Sequence, residues 1–578
     1  MSQQSIQERR TSLTRSERLS LIGVLLGTLL TFASTFTFGW VYDDPPQIPQ
    51  NPNLQWSRLG YFFNHHLWAS ALGQQGRFYR PLLMLWFLVN RTLFGLNPHW
   101  FHVTTVLAHV TATAMAFFIA RKLLEDAEAA LFAAAIFGLH PLQVESASWI
   151  SSVNDSLAAA LCFGSFLIYR KAKVEQHSPG RWWALSAITF LLALLVKEVS
   201  VVLPGIILID LASDFDRQPR AGRPGHSFVT AISTYGFVAA LWLTLRYWVL
   251  GNPASTTTLV PWSVNLLSAP KILLFDLYRV IIPMGLSPHY DLHLIEGPSN
   301  AEFLLTSLVL IALVSLAVVA GRRNPRLWVA FAWLTLPLVP TLNLRWMNED
   351  DFVHDRYLYM SMLGATLLAG FGYAWLRKKW AELNLIRLLA VVILVILAFA
   401  SAVQSQYWAN DVALFSRAVD RAPQNEWAQL NYGAALSTRG KYADAAPHFV
   451  RSYELKPGWR AASFAGFAYQ QSGDLAQAER WFRTALQQDP NLSTAWFGLG
   501  QIRLLQHRPD EAISYLQKAV ELQPNADGYH YALGSALEQV SRRSDAIEEY
   551  KVELRLHPYQ EGARKALDRL QAGDPADR

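Results

Sequence analysis

The sequence of 578 residues is 52% hydrophobic and only 16% charged, whereas charged residues make up about 25% of a typical soluble domain. This composition excludes an ordinary soluble globular protein and indicates an integral membrane protein. The net charge of +6 does not indicate a nucleic-acid partner, because the basic residues fall mainly in short clusters between apolar runs.

The first predicted element is an apolar run that begins at residue 19, directly after a segment containing Arg9, Arg10, Arg15 and Arg18. The run reaches about the 20 residues that are needed to cross the hydrocarbon of a bilayer. Basic residues mark the cytoplasmic side of a membrane protein. We therefore expect residues 1–18 to be a cytoplasmic tail, and the acidic doublet Asp43–Asp44 to lie on the opposite side.

Ten more apolar segments follow, and the basic clusters between them all fall on the cytoplasmic side when each segment is counted as a span. They are 100–120, 129–140, 145–169, 182–199, 201–213, 227–250, 302–320, 326–343, 357–376 and 384–404. We therefore expect a membrane domain over 19–404 with about eleven helices. Two shorter stretches that contain charges, 80–94 and 271–286, are interpreted as amphipathic helices in the outer interface or as re-entrant elements.

The chain changes character after residue 404, because charged residues then become frequent and an internal repeat begins. Small residues and prolines recur 33 or 34 residues apart: Pro423, Pro457, Pro490, Pro524 and Pro558, with Gly433, Gly466, Gly500 and Gly534, and with Ala445, Ala478, Ala512 and Ala546. This is the tetratricopeptide pattern of paired antiparallel helices. It predicts a linking helix at 405–424, four repeats over 425–558 and a capping helix and tail at 559–578.

The predicted fold class is therefore all-α: a polytopic membrane domain followed by an α-solenoid. An odd number of spans places the solenoid on the extracytoplasmic side. Ionisable residues collect at the outer ends of the predicted spans, namely Asp43, Asp44, His140, Glu145, Lys197, Glu198, Asp355 and Arg356. Such residues are costly at membrane depth unless they are paired or functional, so their coincidence on one side predicts a site at the outer membrane face.

Each of these residues also has a structural interpretation when it is taken alone. The Asp43–Asp44 doublet could be the solvated start of a loop. His140, directly before Pro141, could cap a helix. Lys197 could form an ion pair with Glu198, and Arg356 could extend its guanidinium to the membrane interface.

The order of several segments resembles the transmembrane-and-tetratricopeptide O-mannosyltransferase group and its bacterial relatives, which are polytopic GT-C glycosyltransferases. These segments are YDD, NPN, YRPLLMLWFLVNRTLFGLNPHWFHVTTVLAH, GLHPLQVESASWI, LLVKEVSVVLP, PMGLSPHY and HDRYLYMSML, followed by the repeats. The resemblance implies an inverting transfer of a sugar, such as mannose, from a polyprenyl-phosphate-linked donor to an acceptor hydroxyl at the extracytoplasmic face. It also implies that Asp43 and Asp44 are the catalytic pair. The segment SSVND at 151–155 departs from the relatives, because it lacks an arginine that they often carry there.

Elementary chemistry suggests roles for these residues. A carboxylate must take the proton of the acceptor hydroxyl, and two adjacent carboxylates resist ionising together, which suits a base. We expect Asp43 to be the base and Asp44 to orient the acceptor or sugar, or the reverse. The departing lipid phosphate gains negative charge, which Arg356 can bind bidentately, with Lys197 and His140 as further candidates.

Glu145, Glu198 and Asp355 are expected to support these cations. No His/Asp cluster with metal-ligand spacing is present, so we expect no metal and no other cofactor, the lipid-linked sugar being a substrate. The expected partners are this donor, a protein or peptide acceptor bound by the repeats, and the bilayer. The expected location is a bacterial inner membrane, with the N-terminus cytoplasmic and the repeats periplasmic.

Two alternatives remain at this point. The enzyme could act on a lipid or polysaccharide acceptor, with the repeats recruiting another partner. The protein could also be a non-catalytic, membrane-anchored tetratricopeptide scaffold for envelope assembly, in which the outer charged residues are structural.

Overall fold

The computed structural model of the protein describes residues 13–69, 78–175, 178–215, 224–251, 260–346, 352–380 and 384–572. Within these residues all regular structure is helical and no strand occurs, which confirms the all-α prediction. The chain divides into two compact units, Met1–Leu414 and Phe415–Arg578. Arg9 and Arg10 of the predicted cytoplasmic tail lie outside the described residues, and so do residues 573–578 at the end of the predicted C-terminal tail.

Among its described residues, the first unit contains sixteen α-helices and the start of a seventeenth. They are α1 Arg15–Thr31, α2 Asp44–Gln47, α3 Leu59–Asn64, α4 Pro81–Phe94, α5 Pro98–Leu124, α6 Ala127–Leu139, α7 Val144–Ser148, α8 Val153–Val174, α9 Pro179–Val196, α10 Leu203–Phe215, α11 Pro224–Leu250, α12 Trp262–Ile281, α13 Ala301–Arg323, α14 Arg326–Thr335, α15 Met362–Lys379, α16 Leu385–Ser405 and α17 Asp411–Arg421. Short 3₁₀ turns connect several of them. Those at Ile150–Ser152, Glu198–Val202 and Asp355–Leu358 carry residues of the site, and His140 directly precedes the one at Pro141–Gln143.

Six helical segments among the described residues are long and apolar enough to cross a membrane, and a seventh is formed if the pair Ala127–Leu139 and Pro141–Ser148, bent by 50°, is one span. The six are Pro98–Leu124, Ile150–Val174, Pro179–Val196, Phe228–Leu250, Ala301–Arg323 and Leu385–Ala409. The predicted number of about eleven spans is therefore not confirmed. One reason is visible at 326–343, where Pro337 and Pro340 replace the second half of the predicted helix by 3₁₀ turns.

The first helix shows how local chemistry sets the ends of an apolar run. It begins at a capping box, in which Thr14 accepts a hydrogen bond from the Glu17 backbone and the Glu17 side chain accepts one from Thr14. The predicted run extends to residue 40, but the α-helix ends at Thr31 and a 3₁₀ turn, Ala33–Thr37, follows. Thr35 in this turn bonds back to the Phe32 carbonyl at 2.7 Å, which competes with α-helical pairing.

The second unit consists of helix pairs. It contains α18 Glu426–Ser437, α19 Tyr442–Leu455, α20 Trp459–Ser472, α21 Leu475–Gln488, α22 Ser493–Leu505, α23 Pro509–Leu522, α24 Tyr529–Gln539, α25 Arg543–Leu556 and α26 Glu561–Ala572. The repeated glycines lie on the first helix of each pair, against a large side chain of the second. A Cβ atom at these positions would lie 2.6–2.8 Å from Phe449, Phe482, Leu516 or Tyr550. The two helices of each pair therefore approach each other closely at the repeated glycines.

Candidate functional site

The acidic doublet lies at the start of α2, and the side chain of Asp44 is fully buried. Its Oδ1 accepts two hydrogen bonds from Ser151, one from the backbone nitrogen at 2.8 Å and one from the hydroxyl at 2.6 Å. Its Oδ2 accepts a third from the Val41 nitrogen at 3.1 Å. Asp44 is therefore not the solvated start of a loop, and its carboxyl group is held in one orientation. Asp43 is half-buried.

Burial raises the pKa of the Asp44 carboxyl to about 7, and the charge of Asp43 adds to this rise, while the hydrogen bonds from Ser151 and Val41 oppose it. With this pKa, the Asp44 carboxyl can gain or lose a proton near neutral pH. A pair of carboxyl groups with this property is suited to act as a base at physiological pH.

The backbone just before the doublet is held by contacts with Trp149 and Asp411. Tyr42 has a φ of +58°, the left-handed region that a bulky residue rarely adopts. Its N–H donates to Asp411 Oδ1 at 2.7 Å, and its ring stacks on Trp149 with a centroid distance of 5.3 Å. The Trp149 indole N–H donates to the Val41 carbonyl at 3.2 Å. Several independent contacts therefore hold the strained Tyr42 next to the doublet.

Arg356, which is far from the doublet in the sequence, also contacts the Trp149 ring. Its Nη1 donates to Glu145 Oε1 at 2.5 Å, and its backbone nitrogen donates to Glu145 Oε2 at 3.1 Å. Its guanidinium carbon lies 5.1 Å from the centre of the Trp149 ring. Within the described residues, its Nε and Nη2 have no hydrogen bond. Trp149 therefore contacts both Arg356 and Tyr42, the residue before the doublet.

Lys197 is joined to the doublet through the segment SSVND. Its Nζ donates to Asp155 Oδ1 at 2.5 Å, and Asp155 Oδ2 accepts a hydrogen bond from the Ser152 hydroxyl at 3.1 Å. Ser152 follows Ser151, the residue that holds Asp44. The segment SSVND thus supplies both the anchor of Asp44 and the partner of Lys197.

Glu198 pairs with Arg80, not with its neighbour Lys197. Arg80 Nε donates to Glu198 Oε2 at 3.0 Å and its Nη2 donates to Oε1 at 2.5 Å. The possible Lys197–Glu198 ion pair is therefore wrong, because consecutive residues on the 3₁₀ turn direct their side chains to different partners. Three cations of this region, Arg80, Lys197 and Arg356, are each oriented by one carboxylate.

Two of the predicted site residues have other contacts. His140 Nδ1 accepts a hydrogen bond from the Leu142 nitrogen at 3.3 Å and so caps the 3₁₀ turn between α6 and α7. Asp355 Oδ1 accepts hydrogen bonds from Arg279 Nη1 and from the Tyr290 hydroxyl, both at 2.6 Å. Asp355 therefore supports Arg279 on α12, although it was expected to support a phosphate-binding cation.

Sequence reasoning did not single out Arg80, Trp149, Ser151, Asp155 and Arg279 as site residues. A signal existed for Arg80, which begins a charged apolar stretch predicted at the outer interface. Trp149 and Ser151 lie in or beside a segment quoted for the family resemblance, but nothing in a single sequence distinguishes their roles. In the described part of the chain, one group of carboxylates and an imidazole is close enough to share a metal, Asp527, Glu553 and His557 in the second unit. The Glu553 oxygens already accept backbone hydrogen bonds there, and catalysis without a metal stays a prediction.

Comparisons with known proteins agree with this architecture. Two tetratricopeptide repeat family models match residues 460–525 and 506–561. The protein O-mannosyl-transferase TMTC1 of Homo sapiens is 24% identical over 565 residues, which cover 86% of this chain and 62% of that protein. TMTC4 of Homo sapiens is 25% identical over 486 residues, covering 73% and 64%. These relatives confirm the resemblance, and the chain spans less than two thirds of their length.

Some solved structures are similar to part of the chain. MamA is 19% identical, covers 25% of this chain and 86% of its own, and has a TM-score of 0.24. YrrB, described as a tetratricopeptide protein with an unusual peptide-binding site, is 17% identical, covers 34% of this chain and 97% of its own, and has a TM-score of 0.25.

Proposed function

We propose that this relative of the transmembrane-and-tetratricopeptide O-mannosyltransferases is a membrane glycosyltransferase. It would transfer a hexose such as mannose from a polyprenyl-phosphate-linked donor to a hydroxyl of a protein or peptide, with inversion, at the extracytoplasmic face. One observation carries the proposal: Trp149 contacts both Tyr42, the residue before the Asp43–Asp44 doublet, and Arg356. The proposed base and the proposed phosphate-binding cation thus belong to one cluster of contacts.

The reaction is a single displacement. The acceptor hydroxyl oxygen forms a bond to the anomeric carbon while the bond from that carbon to the phosphate oxygen breaks, and the electron pair of this bond leaves with the phosphate. The hydroxyl proton passes to a carboxylate of the doublet. Attack from the face opposite to the leaving phosphate inverts the configuration.

The contacts of Asp44 favour Asp43 as the proton acceptor. Both oxygens of Asp44 already accept hydrogen bonds from Ser151 and Val41, so Asp44 acts as the positioning residue. Its buried carboxyl group also raises the proton affinity of the pair. In this division of roles Asp43 is the base, as expected. Asp44 is bound by Ser151 and Val41 within the protein, in addition to its expected contact with the acceptor or sugar.

Arg356 and Lys197 are the proposed ligands of the donor phosphate. Glu145 holds one edge of the Arg356 guanidinium, and the remaining N–H groups are available for a phosphate oxygen. Asp155 holds Lys197 in the same way. Cations that are already oriented lose little entropy when the substrate binds, and they stabilise the charge that develops on the leaving group. His140 keeps its capping role.

The repeats are the proposed binding surface for a polypeptide acceptor. Phe464 and Phe467 lie one helical turn apart on α20, and each is 43% exposed. The amide of Gln470, one turn further along, donates to Gln501 at 3.0 Å. Exposed aromatic rings beside side-chain amides can bind the apolar groups and the backbone of an extended peptide.

The proposal is tested with the full-length protein in lipid vesicles that contain a mannosyl-phosphoryl-polyprenol of short chain length. Transfer of labelled sugar to a peptide that contains serine and threonine is the expected result. Transfer to lipid or polysaccharide in place of the peptide would support the alternative acceptor. The absence of any transfer, with the protein folded, would favour the scaffold and contradict the proposal.

A further inference from the structure

His109 lies near the middle of α5, and its side chain is fully buried. Both of its ring nitrogens have partners: Nε2 lies 3.1 Å from the Gly138 carbonyl oxygen, and Nδ1 lies 2.7 Å from the Tyr359 hydroxyl oxygen. Because a carbonyl can only accept a hydrogen bond, Nε2 carries a hydrogen, and in the neutral ring Nδ1 accepts the hydrogen of the Tyr359 hydroxyl. One buried imidazole thus bridges two other segments of the first unit.

The first of these segments carries Arg356. Tyr359 directly follows the 3₁₀ turn Asp355–Leu358, and its backbone nitrogen donates to the Arg356 carbonyl at 3.2 Å. The Tyr359 side chain is fully buried. Its ring centre lies 5.6 Å from that of Phe137, which lies 6.1 Å from the His109 ring. The hydroxyl bond to His109 therefore ties the turn of Arg356 to α5.

The second segment leads to Glu145. Gly138 lies in the last turn of α6, and Glu145 lies on α7, the next α-helix of the chain. A Cβ atom at Gly138 would lie 2.9 Å from the Thr113 side chain on α5, so the absence of a side chain allows this close approach. His109 therefore contacts the segment before Glu145 as well as the segment that carries Arg356.

We propose that His109 and Tyr359 are positioning residues that hold Arg356 against Glu145. Glu145 accepts hydrogen bonds from both the backbone nitrogen and Nη1 of Arg356, so a shift of either segment would break at least one of them. This anchoring fixes one edge of the guanidinium and leaves its other edge for the donor phosphate. The expected effect on sugar transfer rests on the proposed function, whereas the effect on the Arg356–Glu145 pair does not.

The first test measures backbone hydrogen exchange over 355–361 by mass spectrometry, with the full-length protein in detergent. Tyr359→Phe removes only the hydroxyl, and we expect exchange over this segment to become about tenfold faster, because one anchoring hydrogen bond is lost. Tyr235→Phe is a matched control: Tyr235 is also fully buried, and its hydroxyl lies 2.7 Å from that of Ser186. Equal exchange over 355–361 in the two variants would overturn the proposal.

His109→Gln provides a second variant that weakens the same anchoring. Glutamine can still donate to the Gly138 carbonyl, but the ring nitrogen that accepts from Tyr359 is absent. Exchange over 355–361 should again become faster than in Tyr235→Phe. Melting temperatures of all variants verify folding, and wild-type exchange in His109→Gln would contradict the role of His109.

Sugar transfer shows whether this anchoring acts through Arg356. Tyr359→Phe should lower kcat/KM for the lipid donor by about tenfold and leave KM for the peptide acceptor unchanged. In an Arg356→Lys background the same substitution should have no further effect, because the residue that it positions is already altered. Losses that multiply would overturn a role through Arg356. If the folded wild type transferred no sugar, the proposed function would fail, and hydrogen exchange would decide whether His109 and Tyr359 hold the pair.

Discussion

Ser151 donates two hydrogen bonds to a single oxygen of the buried Asp44 carboxyl group, at 2.8 Å from its backbone nitrogen and at 2.6 Å from its hydroxyl. These two residues are 107 positions apart in the sequence. The contact fixes the acidic doublet to the start of the helical segment Ile150–Val174, one of the six candidate spans. It makes Ser151 a positioning residue for the proposed reaction.

Replacement of Ser151 by alanine removes only the hydroxyl bond. We expect kcat to fall by about tenfold, because one hydrogen bond that orients the carboxyl group is lost, while KM for the donor changes little. Ser148 offers a matched control, because its buried hydroxyl has no hydrogen-bond partner among the described residues. A kcat for Ser151→Ala equal to that of Ser148→Ala would show that the Asp44 contact does not position the doublet.

The raised pKa of Asp44 predicts a pH dependence of stability. In the folded protein burial raises this pKa to about 7 from an ordinary value of 3.8. Between these two values the folded state holds a proton that the unfolded state releases, so stability falls as the pH rises from about 4 to about 7 and then levels off. Asp44→Asn cannot titrate and should lack this component.

The measurement is thermal denaturation of the wild type and Asp44→Asn in detergent from pH 5 to pH 8. The wild type should lose stability relative to the variant as the pH rises to 7, with a constant difference above about pH 8. Titrating groups that do not interact with Asp44 are common to both proteins and cancel in the comparison. Parallel curves over the whole range would contradict the buried, protonated carboxyl group.

Arg356→Lys tests the donor-phosphate role. Lysine keeps the charge but cannot bind a phosphate through two fixed N–H groups while also pairing with Glu145. We expect kcat/KM for the lipid donor to fall by about a hundredfold, in line with the loss of one donor to a developing oxyanion. Arg377 pairs with Asp126 and Glu128 elsewhere in the membrane unit. If Arg356→Lys behaved like Arg377→Lys, Arg356 would not bind the donor.

The repeat surface is tested by Phe464→Ala/Phe467→Ala. Removal of two exposed rings should raise KM for a peptide acceptor by about tenfold, because aromatic anchors dominate the energy of such interfaces. Turnover of a small alcohol acceptor should not change. Leu556→Ala, which removes an exposed apolar side chain from α25, serves as the control. An unchanged peptide KM in the double variant would exclude these phenylalanines as the acceptor-binding surface.

The repeats could be predicted almost completely from the sequence, because the pattern records a direct contact. Gly466 is small because Phe482 packs against it, and a large side chain packs against the corresponding glycine in each repeat. In the first unit, hydropathy indicates how deep in the bilayer a residue is expected to lie, but not the direction in which its side chain points. It therefore suggested that Lys197 and Glu198 lie at one level, but not that their partners are Asp155 and Arg80.

Breaks of the α-helix within apolar runs were a second feature that hydropathy could not predict. Hydropathy does not separate an α-helix from a 3₁₀ turn, so the segments at 19–40 and 326–343 read as full spans although each loses part of its α-helix. The position of Asp44 illustrates both limits. Its place after the first apolar run was visible in the sequence, whereas its burial depends on Ser151, a contact between distant residues that no local pattern encodes.

The most direct test of the central claim is sugar transfer by Asp43→Asn and Asp44→Asn in vesicles, measured beside the wild type and Asp420→Asn, a control on α17. We expect kcat of the Asp43 variant to fall by at least about a hundredfold, which is the usual contribution of a general base. The Asp44 variant should also show a clear loss. Expression and melting of the repeat unit should match the control. Wild-type transfer rates in both variants would show that the acidic doublet is not the catalytic centre.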